Sequence, residues 1–240
     1  MTSRPRVRER VRHRGSRLLN VAGNVAIQAS QRIAERDGAT LIGDRWVEWS
    51  FCLARLEVGP GTTLDFGAGV GFLSLAAAQR QHHVVALDRM EPALDYSHPR
   101  VTALQADILD RPLEGRRFDQ IINCSSVEHV GLAGRYGSSE EAGGDLEAMA
   151  IMRDLLASEG RMIATIPVGR DLVCAPLHRI YGEERLPRLL EGYVVQEAQY
   201  WRRDRAASGW IEVTQNDALR TEGSEWYYAL GLLVLQRADA

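Results

Sequence analysis

Thr62-Thr63-Leu64-Asp65-Phe66-Gly67-Ala68-Gly69-Val70-Gly71 decides how this chain folds. A short strand carrying Leu64 and Phe66 runs into glycines at alternate positions, 67, 69 and 71. The amphipathic segment Phe72-Leu73-Ser74-Leu75-Ala76-Ala77-Ala78 follows without a gap. Glycine lets the backbone turn tightly and approach a ligand with no Cβ in the way. The helix behind it presents unpaired N–H groups. Strand, glycine turn and helix in this order make a nucleotide-binding turn.

The segments that follow end in acids. His83-Val84-Val85-Ala86-Leu87 runs into Asp88, 17 residues after Gly71. That is about where a second strand delivers a carboxylate to ribose hydroxyls. Val101-Thr102-Ala103-Leu104-Gln105-Ala106 runs into Asp107. Three successive strands thus end in or next to an acid. Ligands of open α/β sheets sit outside the carboxyl ends of the strands.

The dinucleotide fingerprint needs a glycine where this chain has Phe72. An acid at position 65 is unfavourable beside a pyrophosphate and suits a cationic ligand. S-adenosylmethionine (SAM) carries an ammonium and a sulfonium and no phosphate. Over roughly residues 58–235 the chain resembles the class I SAM-dependent methyltransferases, whose first motif is acid-x-Gly-x-Gly-x-Gly. The resemblance implies cofactor contacts from Asp65, Gly67, Ala68, Gly69, Gly71, Asp88, Arg89, Asp107, Ile108 and Ser125. Among these, Asp88 serves the ribose, Asp107 with Ile108 the adenine, and Ser125 and Ser126 the methionine side. It also implies a Rossmann-like, doubly wound sheet of seven strands, mostly parallel, with an antiparallel last strand beside its predecessor.

The pattern along the chain agrees with that architecture. After Gly59-Pro60-Gly61, strands read at 118–124, 161–166, 193–201 and 226–235, and helices at 145–158, capped by Gly160, and 182–191. Repeated βα units make a parallel sheet. Before them, residues 18–36 and 44–57 read as helices of a lid. Trp46, Trp49, Cys52, Leu53 and Leu56 share one side of the second helix, and both tryptophans read as packing residues. The domain expectation is an Arg-rich disordered tail at 1–17, lid helices at 18–57 and the cofactor domain at 58–240.

Composition narrows the chemistry. Hydrophobic residues make up 45% of the 240, enough for a sizeable core. The net charge of −3 gives no nucleic-acid bias, and no DNA partner is expected. All 29 basic residues are arginine. A Walker lysine, a Schiff-base lysine and a lysine base are therefore excluded. Cys52, Cys124 and Cys174 are odd in number and far apart, which points to a reducing, cytoplasmic setting rather than a disulfide framework or structural zinc. Seven arginines against Glu9 in residues 1–17 read as a solvated tail, as a contact to an anionic surface or nucleic acid, or as the start of a signal peptide whose core, Leu18–Ala29, is interrupted by Asn20, Asn24 and Gln28. No stretch is long and apolar enough to span a membrane.

Candidate catalytic groups cluster after the fourth strand, in Asn123-Cys124-Ser125-Ser126-Val127-Glu128-His129-Val130-Gly131. Methyl transfer is an in-line displacement, so the nucleophile must sit roughly 3 Å from the methyl carbon. An alcohol nucleophile also needs a proton acceptor. His129 is the candidate base and Glu128 its support; the alternative is that His129 packs or caps the next element. Asp145 reads as a helix N-cap, or as a ligand, with Glu128, for Mg²⁺ or a sugar hydroxyl. His178 contacts substrate or packs at the surface. Arg135 and Tyr136 hydrogen-bond a polar acceptor or order their loop.

Ser126-Val127-Glu128-His129-Val130-Gly131-Leu132, Arg135-Tyr136-Gly137, Gly144-Asp145-Leu146, Thr165–Gly169 and His178-Arg179-Ile180-Tyr181-Gly182 resemble one bacterial subgroup. It is classed as a domain of unknown function and met beside polysaccharide and glycosyltransferase genes. The resemblance implies a sugar or glycan acceptor. The competing expectations are N-methylation of an amino sugar or other small metabolite, an RNA methyltransferase, and a SAM-binding module without turnover. For RNA, Trp201-Arg202-Arg203 is the single weak hint, and the Asn/Asp-Pro-Pro-Tyr/Phe run of amide methylases is absent. Oligomeric state is left open.

Overall fold

A computed structural model describes residues 43–133, 141–204 and 209–238. The strongest apolar runs became the centre of the sheet. Strands β1 (Gly61–Phe66), β2 (His82–Asp88), β3 (Val101–Gln105), β4 (Phe118–Cys124) and β5 (Leu156–Val168) lie parallel in the order β3-β2-β1-β4-β5. Helix α1 (Asp44–Arg55) precedes β1, and α2 (Phe72–Gln79) joins β1 to β2. Helix α3 (Gly144–Leu155) leads into β5. Near-continuous apolar strands are what a sheet covered on both faces requires. Leu64, Leu87, Ile121, Ile122, Met162 and Ile163 are accordingly fully buried.

After β5 the chain forms a hairpin of β6 (Leu172–Cys174) and β7 (His178–Ile180), then a short helix α4 (Arg185–Leu189). It returns to the sheet as β8 (Tyr193–Asp204) and β9 (Gly209–Val213). Helix α5 (Gln215–Leu219) then leads to β10 (Ala229–Arg237). Strand β10 lies between β5 and β8 and is antiparallel to both, so the last strand is inserted beside its predecessor as expected. The sheet has eight strands, not seven: β9 adds an antiparallel edge on β8. Its five residues are partly exposed, and although Trp210, Ile211 and Val213 are strand formers, the run is too short for periodicity to single it out.

Two boundaries also moved. Helix α3 ends at Leu155 and β5 starts at Leu156, so Gly160 lies inside a strand rather than capping the helix. A Cβ there would come 2.8 Å from the Phe118 carbonyl, where the β4–β5 register shifts. Close backbone approach is the glycine's purpose. Helix α1 belongs to the same compact unit as the sheet, residues 43–240, and packs on β4, β5 and β10. Its buried face is Glu48, Phe51 and Cys52, whereas Trp46 is 80% exposed and is not a packing residue. The expected tail at 1–17 and helix at 18–36 lie outside the described residues.

Candidate active site

The ends of β1, β2 and β4 and the turn after β3 surround one cavity of about 360 Å³. It opens at the point where the strand order reverses between β1 and β4. Open α/β sheets bind ligands at such a switch point, and small-molecule sites run from about 300 to 1,000 Å³.

The three glycines of the first turn do different work. All have positive φ: 71° at Gly67, 53° at Gly69 and 70° at Gly71. A Cβ on Gly67 would strike Ser126 Oγ at 2.1 Å, and one on Gly71 would strike Leu94 at 2.2 Å. These two allow close packing. A Cβ on Gly69 would meet no protein atom within 4 Å and would instead occupy the cavity that Gly69 lines. The Gly69 backbone therefore leaves the cavity open beside the turn, a cradle with room for a ligand.

Acids ring this cradle. Asp65 is buried at the end of β1 and accepts from Ser74 Oγ at 2.5 Å. Burial pushes its carboxyl up to about 6, against the Ser74 hydrogen bond and with help from Asp88. Asp88 accepts from the Gly69 N–H at 3.0 Å with one oxygen and from the Met90 N–H at 2.9 Å with the other. Each oxygen keeps a second lone pair. Asp107 pairs with Arg89 and accepts from the Leu109 N–H at 3.0 Å, which sets the turn that buries Ile108. Asp65, Gly67, Ala68, Gly69, Asp88, Arg89, Asp107, Ile108 and Ser125 all line the cavity. Gly71 does not; its carbonyl accepts from Tyr96 Oη at 2.6 Å behind the turn. This set fits an adenosyl cofactor with a cationic end: acceptors for ribose hydroxyls, an apolar Ile108 beside Asp107, and a carboxylate without a basic neighbour at position 65.

Opposite the cradle, Ser125 has φ 47°, rare for a side-chain-bearing residue. Such a backbone costs on the order of 1–3 kcal/mol and persists where neighbours over-determine it. Here Ser125 N–H donates to the Thr165 carbonyl at 3.0 Å and Ser125 Oγ to Glu48. Glu48, 1% exposed, also accepts from Thr165 Oγ1 at 2.8 Å and pairs with Arg45 at 2.9 Å. Arg45 lines the cavity with Trp49, which stacks on Phe72 at 4.6 Å between ring centroids. Burial opposes the Arg45 charge, but Glu48 and its neighbours outweigh it and hold the guanidinium above its ordinary range. Contact with Cys52, burial and Glu48 push the Cys124 thiol up, so it is no nucleophile at neutral pH. Arg45 and Glu48 escape a reading of the glycine motif. The signal for Glu48 is an acid on the face that Phe51 and Cys52 define.

His129 lies in the 3₁₀ turn Val127–His129 after β4 and faces the cavity. Its Nδ1 is 2.6 Å from the Leu177 carbonyl in the β6–β7 hairpin. A carbonyl can only accept, so Nδ1 carries the hydrogen and Nε2 the lone pair of the neutral ring. Glu128 Oε1 is 3.7 Å from Nε2; Glu128 itself is buried and not in the cavity wall.

Other expected residues sit elsewhere. Asp145 is fully buried away from the cavity. It accepts from Arg185 Nη2 at 2.6 Å and Nε at 3.1 Å and from Tyr181 Oη at 3.1 Å, with Arg179 Nε at 3.6 Å. Two guanidiniums thus hold the place assigned to Mg²⁺ or a sugar hydroxyl. Among the described residues no three His, Cys, Asp or Glu side chains converge as metal ligands, so Glu128 and Asp145 do not form the expected Mg²⁺ site. His178 is buried against Tyr228, ring centroids 5.1 Å apart, outside the cavity wall. Arg135 and Tyr136 lie outside the described residues.

Residues 63–139 match the family model described as a methyltransferase domain. The chain thus carries a methyltransferase domain. Residues 111–220 of the enzyme match a second model, described as a Caenorhabditis protein of unknown function, DUF268. Among solved structures, one neighbour is the Burkholderia thailandensis 1,6-didemethyltoxoflavin-N1-methyltransferase with bound 1,6-didemethyltoxoflavin and S-adenosylhomocysteine. It is 19% identical over 91% of this chain and 90% of its own, with TM-score 0.56. Another is the N-methyltransferase NodS from Bradyrhizobium japonicum in complex with S-adenosylhomocysteine, 17% identical over 82% and 89%, with TM-score 0.53. A TehB-like SAM-dependent methyltransferase from Corynebacterium glutamicum is 17% identical over 90% and 98%, with TM-score 0.51. At these identities the likeness is one of fold. No curated protein is significantly similar in sequence.

Proposed function

We propose that the enzyme methylates a hydroxyl of a small polar acceptor, a sugar, glycoside or glycan precursor, with His129 as general base. The observation that carries this reading is the His129 imidazole on the cavity wall, with Nδ1–H committed to the Leu177 carbonyl. That commitment leaves Nε2 as the proton acceptor. When bound, SAM supplies a methyl group activated by the sulfonium. The residues do the rest. The Gly69 cradle and Asp65 hold the cationic methionine end, and Asp88 accepts from the ribose hydroxyls. Asp107 with Ile108 and Arg89 borders the adenine. Trp49 and Phe72 line the cavity as a stacked pair and offer it an apolar wall. Nε2 takes the acceptor's proton as the oxygen attacks, and Glu128, 3.7 Å away, stabilises the imidazolium. The sugar class rests on the resemblance of the 126–182 segments, all of which lie within the match to a domain of unknown function.

N-methylation of a small molecule is the second reading, favoured by two fold neighbours that are N-methyltransferases. An amine that is already neutral needs less proton removal, so the two readings part at His129. The deciding experiment offers labelled SAM to panels of sugars, glycosides and amino compounds, with wild type and His129→Ala. Label in a hydroxyl, lost in the variant, supports the proposal; label on nitrogen in both proteins overturns it. Calorimetry against NAD tests the cofactor assignment, and equal or tighter NAD binding sinks it. Among the described residues no helix is long and apolar enough to cross a membrane.

A further inference from the structure

The geometry points to Arg179 as the positioning residue of His129, acting through the main chain on both sides of it. The inference rests on the reading of His129 as the base. Arg179 lies in β7 and is 3% exposed. Its Nη1 donates to the Glu128 carbonyl at 3.3 Å and to the Val130 carbonyl at 2.6 Å. These are the carbonyls immediately before and after His129. From the same hairpin, the Leu177 carbonyl accepts from the ring at 2.6 Å. The hairpin therefore grips the turn at two backbone points and the imidazole at a third.

The turn needs such a grip. It is a single 3₁₀ turn, held internally by His129 N–H to the Ser126 carbonyl and Val130 N–H to the Val127 carbonyl, both at 3.1 Å. Turns this short have few bonds of their own and poorer hydrogen-bond geometry. Guanidinium-to-carbonyl bonds are charge-assisted and stronger than neutral ones. A buried guanidinium also requires a counter-charge. Asp145 provides it, 3.6 Å from Arg179 Nε, and is itself fixed by Arg185 and Tyr181. Asp145 thus acts on the site two contacts away, as the anchor of an arm that aims the base. Lysine does not replace Arg179: Nη1 meets both carbonyls while Nε faces the Asp145 carboxylate, and a single ammonium on a shorter stem does not serve both places.

The test uses the full chain and ¹⁵N-labelled histidine, read by NMR with S-adenosylhomocysteine present, and does not require the natural acceptor. In wild type, neutral His129 carries its hydrogen on Nδ1. In Arg179→Lys the Nδ1–H fraction falls while cofactor affinity is unchanged, and Asp145→Asn moves the same signal by less. With an acceptor that turns over, Arg179→Lys lowers kcat by at least about tenfold, since a misplacement of about 1 Å costs roughly 100-fold, and its acceptor KM changes little. A folded Arg179→Lys with the wild-type tautomer and pH–rate profile overturns the inference. So does a wild-type His129 that carries its hydrogen on Nε2, whether or not the variants fold. If His129→Ala turns out fully active, the reading of His129 as the base fails. The tautomer signal still decides whether Arg179 aims the ring.

Discussion

The two halves of the cavity are held together differently. On the β1–β3 side each functional group is fixed by residues close in the chain. Asp88 is bound by the N–H groups of residues 69 and 90, Asp107 by residues 89 and 109, and Asp65 by Ser74 nine residues on. On the β4–β7 side the partners are remote. Ser125 leans on Glu48, 77 residues earlier, and His129 on Leu177, 48 residues later. Under the proposed roles the first side is the cofactor half, and the second, a convergence of α1, the turn after β4 and an inserted hairpin, is the acceptor half, with Ser125 at its border on the expected methionine side. Local turns form wherever the motif occurs, whereas a converged site can be retuned for a new acceptor without disturbing the cofactor. The proposed separation of roles predicts which substitutions affect binding and which affect turnover.

The sharpest test is His129→Ala. A positioned base contributes about 10²–10⁴-fold, so turnover falls by at least 100-fold while calorimetric affinity for S-adenosylhomocysteine stays near wild type. A comparable loss of cofactor affinity would break the division between the halves. Asp88→Ala is the mirror experiment. Removing hydrogen bonds to an ionised group costs about 1.5–3 kcal/mol each, so cofactor affinity falls by roughly 10- to 100-fold, and acceptor KM measured at saturating cofactor is preserved.

Asp65 gives a pH signature confined to the cofactor half. Its carboxyl is raised to about 6 in the folded protein, against about 4 in an unfolded chain. Folding therefore takes up a proton, so stability falls as pH rises from about 4 to about 6, and the full cost is present at neutral pH. Asp65→Asn should raise the melting temperature at pH 7, by an energy of up to about 3 kcal/mol. It should also weaken cofactor binding, because the charge that favours the cationic end is gone. In wild type, affinity for S-adenosylhomocysteine should fall roughly tenfold between pH 7 and pH 5 as Asp65 protonates. A flat affinity profile would remove Asp65 from contact with the cationic end.

The smallest effect belongs to the scaffold of the acceptor half. Thr165→Val deletes one of the donors to Glu48 and should cost about 1 kcal/mol of stability, read as a modest fall in denaturation midpoint, with cofactor affinity unchanged. A large drop in cofactor affinity would show that Ser125 depends on this support more than its second hydrogen bond suggests.

The same contrast explains what was legible beforehand. Asp65, Asp88 and Asp107 announce themselves because each ends an apolar run, and the cavity receives all three. Gly71 shows the limit of the motif: its letter matches, yet its role is packing against Leu94 and Tyr96 rather than lining the cavity. Asp145 reads as a helix N-cap or as a ligand, yet the cap is Gly143 and Asp145 lies in the helix's first turn. Only the arrival of Arg179 and Arg185 from beyond β5 makes it the anchor of a buried ion-pair cluster. Glu48 is illegible for the opposite reason, since a glutamate in a surface-type helix is ordinary until Ser125 and Thr165 are seen to close on it. The missing edge strand β9 has a plainer cause: Trp210, Ile211 and Val213 are strand formers, but a run of five residues is too short for periodicity to single out.

By itself the sequence determined an α/β sheet of repeated βα units and a glycine turn ringed by strand-end acids, the set that carries the resemblance to SAM-binding folds. Apolar periodicity and alternate glycines are local constraints that every fold of this chain must satisfy. Tertiary structure alone decided which buried acids are paired with arginine, which nitrogen of His129 carries the hydrogen, and that a hairpin inserted after β5 holds the turn that bears it. Around Asp145 and His129 those outcomes depend on groups 34 to 51 residues apart meeting, from Arg179 with Asp145 to Arg179 with Glu128, and no local pattern encodes such a meeting.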